Sequence, residues 1–163
     1  MKTSIIYKNI FLYRFVMNIL YSCNYSKRFS DIISRIDSSC NSILDLCFGD
    51  VYIANFCRKN SINWTGYDIN SYFVKNARKQ GYNAFQKDLS ELNTFPKSDI
   101  CILLGSLYHF NNEIEPLFQK MLTCAPKIII SEPIVNLSSH KGIIGKMARF
   151  FTNAGKGNEE FRF

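Results

Sequence analysis

The sequence predicts an α/β fold: a doubly wound, mainly parallel sheet of about five strands with helices on both faces. Three observations predict it. Short apolar runs of strand character alternate with stretches of helical period through residues 42–132. The runs at 42–47, 99–104 and 127–131 are nearly continuous in apolar residues, as strands covered on both faces are. Aspartates stand at or beside the ends of three of them, Asp45, Asp68 and Asp88, at gaps of 23 and 20 residues. A parallel sheet that delivers three carboxylates to one edge makes a binding crevice there.

Residues 1–40 form a helical N-terminal extension. Leu12, Phe15, Val16, Ile19 and Leu20 fall at helical spacing, and a second helix is expected over Lys27–Ile36 with Phe29, Ile32, Ile33 and Ile36 on one face. The sheet follows in residues 42–132, with strands at Ser42–Cys47, Asn63–Asp68, Asn83–Gln86, Asp99–Leu104 and Lys127–Ser131. Helices are expected at 51–60, 71–80 and 111–123, the last with Ile114, Leu117, Phe118, Met121 and Leu122 on one face. Right-handed crossovers then put the first strand at the topological switch point. Residues 133–163 are read as a helix over Gly142–Phe151 and a polar tail, and the whole as one domain.

With 163 residues and 47% hydrophobic content the chain has material for a core, and its 20% charged content argues against disorder. No apolar run reaches the length of a membrane span, and the N-terminal one is interrupted by Lys8 and Arg14 without a small-residue cleavage site. A cytoplasmic protein is expected. The six cysteines, at 23, 40, 47, 57, 101 and 124, form no Cys-x-x-Cys pair and have no histidine pattern beside them. No metal site or redox motif is indicated; small buried side chains in a reducing compartment are. The net charge of +7 sits at the ends, with six Lys/Arg against two Asp/Glu in residues 1–40, eight against eight in 41–126 and six against three in 127–163.

The chemistry concentrates in the turn after the first strand. Gly49 lets backbone N–H groups approach a ligand, and the following helix start can receive an anionic group. An acid ending the second strand, Asp68, is placed to accept hydrogen bonds from a ribose diol. To this point NAD and S-adenosylmethionine both fit. A third acid, Asp88, suits an adenine amino group, and the turn lacks the glycines a pyrophosphate demands, which favours S-adenosylmethionine. Each acid has a plainer role open to it. Asp50 is an N-cap or a ligand contact, Asp45 orders the Gly49 turn through backbone hydrogen bonds or meets the methionine amino group, and Asp68 and Asp88 are alternatively strand-end turn residues.

With these residues in view the chain resembles the class I S-adenosylmethionine-dependent methyltransferases, a Rossmann-like family, from about Ser42 to Glu132. Ile43-Leu44-Asp45-Leu46-Cys47-Phe48-Gly49-Asp50 looks like the family's first motif, with Cys47 where its first glycine usually stands. Gly66-Tyr67-Asp68-Ile69-Asn70 is similar to the second motif and Lys87-Asp88-Leu89 to the third. Asp99–Phe110 resembles the fourth strand and its loop, and Ile128-Ile129-Ile130-Ser131-Glu132-Pro133 the fifth-strand ending of small-molecule members.

The resemblance implies cofactor contacts from Asp45, Cys47, Gly49, Asp68, Ile69, Asp88, Leu89 and Leu104. It makes His109 the candidate general base, Tyr108 and Phe110 walls, and Tyr108 and Glu132 the candidates for touching the acceptor. The implied reaction is in-line transfer of a sulfonium methyl, for which the protein mainly aligns two partners and excludes water. The family's sheet usually has seven strands; strands six and seven are missing here, and the apolar end at Phe161 and Phe163 predicts a truncated chain.

A small or medium-sized metabolite is the expected acceptor, since no Asn/Asp-Pro-Pro-aromatic signature is present. The basic ends, through Lys27, Arg28, Lys141, Lys146 and Arg149, predict an acceptor carrying negative charge. A nucleic-acid or membrane-surface methyltransferase and a non-catalytic cofactor-binding module are the alternatives.

Overall fold

The computed structural model describes residues 5–21 and 23–132, without the side chains of Ile5, Asn111 and Asn112. Five strands form one parallel sheet: β1 (Ser42–Leu46), β2 (Asn63–Asp68), β3 (Asn83–Gln86), β4 (Ile100–Leu104) and β5 (Lys127–Ser131). Their order is β3-β2-β1-β4-β5. The chain goes one way from β1 and the other way from β4, so the switch point lies at the carboxyl end of β1, as expected.

Helices α1 (Ile10–Leu20), α2 (Tyr25–Ile33), α3 (Tyr52–Lys59) and α4 (Ser71–Lys79) each bury one apolar face in a common cluster. There Phe29, Ile32, Ile53, Phe73 and Ala77 share a core with Ile43, Trp64, Ile100 and Ile102 of the strands. Helix α5 (Ile114–Cys124) covers the other face, where Leu117 and Met121 pack with Leu44, Leu46, Cys101 and Leu103. Ile43 and Leu44 thus enter opposite clusters, as the two-residue period of a strand requires, and each such burial is worth roughly 1.5–3 kcal/mol.

The crossover from β3 to β4 has no helix. Leu89, Leu92 and Phe95 cover that part of the sheet instead, and Lys120 Nζ of α5 donates to the Leu89 and Leu92 carbonyls at 2.9 and 3.0 Å.

Several boundaries differ from expectation for local reasons. β1 stops at Leu46 because Cys47 takes φ +54°, outside the extended region. β4 begins at Ile100 because Asp99 faces the N-terminal end of β1, its carboxylate accepting from the Asn41 and Ser42 N–H groups at 2.7 and 2.9 Å. Residues Leu107–Glu113 are 3-10 helix, and α5 starts at Ile114 with Pro116 in its first turn, where a missing N–H costs nothing. It ends at Ala125, extended at φ −145°, which the following Pro126 favours.

The second helix covers Tyr25–Ile33 rather than Lys27–Ile36, with Ile36 beyond its end. In α1 the helix forms as predicted, but Leu12, Phe15 and Ile19 face solvent and Ile10 and Met17 face the core. Cys40, Cys57, Cys101 and Cys124 are buried as expected, while Cys47 is half-buried and Cys23 exposed. The Gly142–Phe151 helix, Lys141, Lys146, Arg149 and the place of strands six and seven lie outside the described residues.

Candidate functional site

At the carboxyl edge of β1 the chain makes a tight turn with two left-handed residues, Cys47 and Gly49, both at φ +54°. Glycine takes this conformation freely, and cysteine takes it at a cost of about 1 kcal/mol. Cys47 is held there by its N–H, which donates to the Tyr67 carbonyl at 2.7 Å. Gly49 is held by its own N–H, which donates to Asp68 Oδ2 at 2.9 Å. Asp68 Oδ1 accepts from the Asn70 N–H at 2.7 Å. Asp68, not Asp45, therefore orders the Gly49 turn.

Asp45 does something else. Buried to 1% exposure, it accepts the Trp64 indole N–H at 3.1 Å on Oδ2, while Oδ1 has no hydrogen-bond partner. Burial, with the nearby Asp68 charge adding to it, raises its pKa to about 7 against the lowering influence of the Trp64 bond and of Arg28. Burial likewise raises Asp68 to about 6, opposed by the two backbone N–H groups it accepts from. Two partly desolvated carboxylates, one with an unused buried oxygen, make a setting that favours a cationic or multiply donating ligand.

Asp50 is neither N-cap nor open contact. The cap of α3 is Val51, and the buried Asp50 carboxylate takes a two-pronged ion pair from Arg14 of α1, Nε to Oδ2 at 2.7 Å and an Nη to Oδ1 at 2.8 Å. From the same helix Tyr13 comes down on the turn: a Cβ at Gly49 would stand 3.2 Å from the Tyr13 hydroxyl and 4.0 Å from the Phe73 ring. Tyr13 and Phe73 rings meet at 5.0 Å, so α1 roofs the turn through an aromatic contact and an ion pair. Arg14 is a residue sequence reasoning missed, although a single charge in an apolar eleven-residue helix was its signal.

On the other side of the switch point, Gly105 follows β4 at φ +61°, and a Cβ there would meet the Arg28 guanidinium at 3.0 Å. Arg28 also donates to the Tyr21 hydroxyl at 2.7 Å. Glu132 Oε1 accepts from the Ser106 and Leu107 N–H groups at 2.8 and 3.0 Å, so this carboxylate shapes the loop after β4. Burial raises its pKa, with those N–H groups and Arg28 pulling the other way. Tyr108 and His109 are half-buried in the 3-10 segment with ring centroids 3.9 Å apart, and Phe110 is buried in the core.

The remaining expected contacts divide by exposure. Ile69 is 40% exposed beside Asp68 and Leu104 half-buried at the end of β4. Leu89 has its side chain in the core, so it can offer a ligand only its backbone. Asp88 Oδ1 accepts from the Ser90 N–H and hydroxyl at 3.0 and 2.6 Å, which makes it a turn-former in this structure. Among the described residues no group of three or more His, Cys, Asp or Glu is placed to hold a metal ion, and no helix is long and apolar enough to cross a membrane.

No family model matches the sequence, and no curated protein matches it. Solved structures do match the fold. Streptomyces venezuelae DesVI superposes with a TM-score of 0.58 at 16% identity, over 72% of this chain and 54% of its own. An O-methyltransferase family protein from Burkholderia thailandensis gives 0.52 at 18% identity, over 64% and 36%. The sugar N-methyltransferase KedS8 from Streptoalloteichus gives 0.51 at 15% identity, over 61% and 44%. The chain thus spans about half the length, or less, of the structures it matches. Its parallel sheet, in the order β3-β2-β1-β4-β5, is Rossmann-like, a fold it shares with these solved methyltransferase structures.

Proposed function

We propose that this chain binds S-adenosylmethionine at the β1–β2 edge and belongs to an enzyme that transfers its methyl group to a small or medium-sized metabolite. The observation that carries the reading is the pair of buried acids: Asp45 with an oxygen left unpartnered, and Asp68 clamping the Gly49 turn. The donor set fits the cofactor. Asp45 Oδ1 offers an acceptor to an ammonium group, Asp68 keeps lone pairs for a ribose diol, and Gly49 allows close approach of backbone. When bound, the cofactor supplies an electrophilic methyl on a sulfonium, so the acceptor meets an already activated donor.

The chain's own residues then have three tasks. Asp45 and Asp68 fix the cofactor's orientation from two neighbouring strands. Tyr13, Phe73 and the Arg14–Asp50 pair keep water from the turn. Residues Gly105 to His109, braced by Glu132, form the wall where an acceptor would stand, and His109 takes its proton where the acceptor holds one at working pH. Arg28 beside Gly105 favours an acceptor with negative charge.

Calorimetric titration with S-adenosylhomocysteine, with NAD as control, tests this reading. Saturable binding that Asp68→Ala weakens supports it; a folded protein that binds neither overturns it.

A further inference from the structure

Helix α1 has two working faces. The inner one carries Tyr13 and Arg14 onto the Gly49–Asp50 turn. The outer one presents Phe11 at 78%, Phe15 at 64%, Ile19 at 57% and Leu12 at 37% exposure. Spacings of four and eight residues from Phe11 align Phe15 and Ile19 along one line of the helix, with Leu12 beside it. A contiguous apolar stripe of this kind, half of it phenylalanine, is the sort of patch that marks an interaction surface.

The charge around it says what covers it. Residues 1–40 carry six Lys/Arg against two Asp/Glu; the stretch 5–21 that includes α1 has Lys8 and Arg14 and no acid, while α2 has Lys27 and Arg28 together with Asp31. Arg14 is taken by Asp50, while Lys8, one turn before Phe11 and Leu12, and Lys27 in α2 are exposed. An apolar, aromatic helix face in a segment of net charge +4 is complementary to an anionic bilayer surface, where rings sink to the acyl boundary and lysines meet headgroups.

We propose that the outer face of α1 docks the protein on anionic membranes as a peripheral, interfacial helix. This goes beyond the methyl-transfer reading and is independent of it. Docking through α1 sets the carboxyl edge of β1 one helix diameter from the bilayer, because the inner face of the same helix holds the Gly49 turn.

The test is co-sedimentation of the full chain with phosphatidylcholine vesicles containing none or about a quarter phosphatidylglycerol, at about 50 and 300 mM salt. The expected result is binding to the anionic vesicles that salt weakens. Phe11→Gln/Phe15→Gln should weaken it at least about tenfold with an unchanged unfolding midpoint, and Lys8→Glu/Lys27→Glu should weaken it on anionic vesicles.

Four results would overturn the proposal. They are no binding to anionic vesicles at low salt; equal binding by the double-phenylalanine variant; a lowered unfolding midpoint in that variant, which would mean that the chain itself covers the stripe; and a dimer in light scattering that the same variant dissolves, which would assign the stripe to a second copy.

Discussion

The Trp64 indole N–H reaches the Asp45 carboxylate at 3.1 Å from the neighbouring strand. It does so by lying across Gly66, the residue paired with Asp45 in the sheet: a Cβ at Gly66 would fall 2.1 and 2.4 Å from the Trp64 ring and 2.7 Å from Phe48. The absent side chain at Gly66 is thus what seats the donor on the candidate cofactor acid.

Gly66→Ala is expected to push the indole off Asp45 and cost about 2 kcal/mol of stability, in the range for overpacked cores. Urea unfolding measures the loss, and near-ultraviolet circular dichroism of the single tryptophan should change with it. A variant as stable as the parent with an unaltered spectrum would contradict this account.

Asp68→Ala should weaken S-adenosylhomocysteine binding by at least ~1.5 kcal/mol, from lost hydrogen bonds to a charged acceptor and from release of the Gly49 turn. Asp68→Asn separates the two, since one carbonyl oxygen can still hold either Gly49 or Asn70. Calorimetry on both variants, each shown to fold, gives the answer; unchanged affinity in both would remove the ribose assignment.

The buried acids predict how stability follows pH. With Asp45 raised from 3.8 to about 7, the folded state keeps a proton that the unfolded chain has released across that window. Folding then binds more protons than unfolding, so this contribution is full at the acid end, falls as pH rises, and is gone above about 7. Asp68 acts the same way from 3.8 to about 6. Asp45→Asn should flatten the slope, with a gain over the parent at pH 8 of roughly 1 kcal/mol or more. Urea midpoints of both proteins from about pH 4 to 8 test it; parallel curves would refute it.

Arg14→Leu leaves the Asp50 carboxylate buried and without its cation. Because the Arg14 side chain is 37% exposed, the cost is set below that of a fully buried pair, at about 2 kcal/mol. Adding Asp50→Asn should restore most of it, and a double-mutant cycle in urea checks the coupling. Additive losses would show that the pair contributes nothing of its own.

How much of this was legible in the sequence depended on range. Strands β1, β4 and β5 could be read because each is a local apolar run, β2 and β3 because short stretches with aromatic residues lie between helical ones, and β2, β3 and β5 keep their expected bounds without change. The turn residues Gly49 and Asp68 could be placed because a parallel sheet fixes where strand ends lie. Their division of labour could not: Asp45 and Asp68 differ only in which N–H each faces, a matter of side-chain direction across strands. The face of α1 was hidden because the helix is apolar nearly all round, so its period leaves the buried side undetermined. Arg14 and Asp50, 36 residues apart, become neighbours only through the tertiary fold.

Asp68 is one link in a longer series. Asn70, whose N–H it holds, turns its own side chain to the Tyr7 carbonyl and the Tyr72 N–H, and the Tyr72 hydroxyl accepts the first amide of α1, that of Ile10. Hydrogen exchange would therefore see the Gly49 amide and the start of α1 opening as one event. A bound ligand that tightens Asp68 should slow exchange at Ile10, and a contact that pins α1 should slow it at Gly49, by the same free energy in both directions.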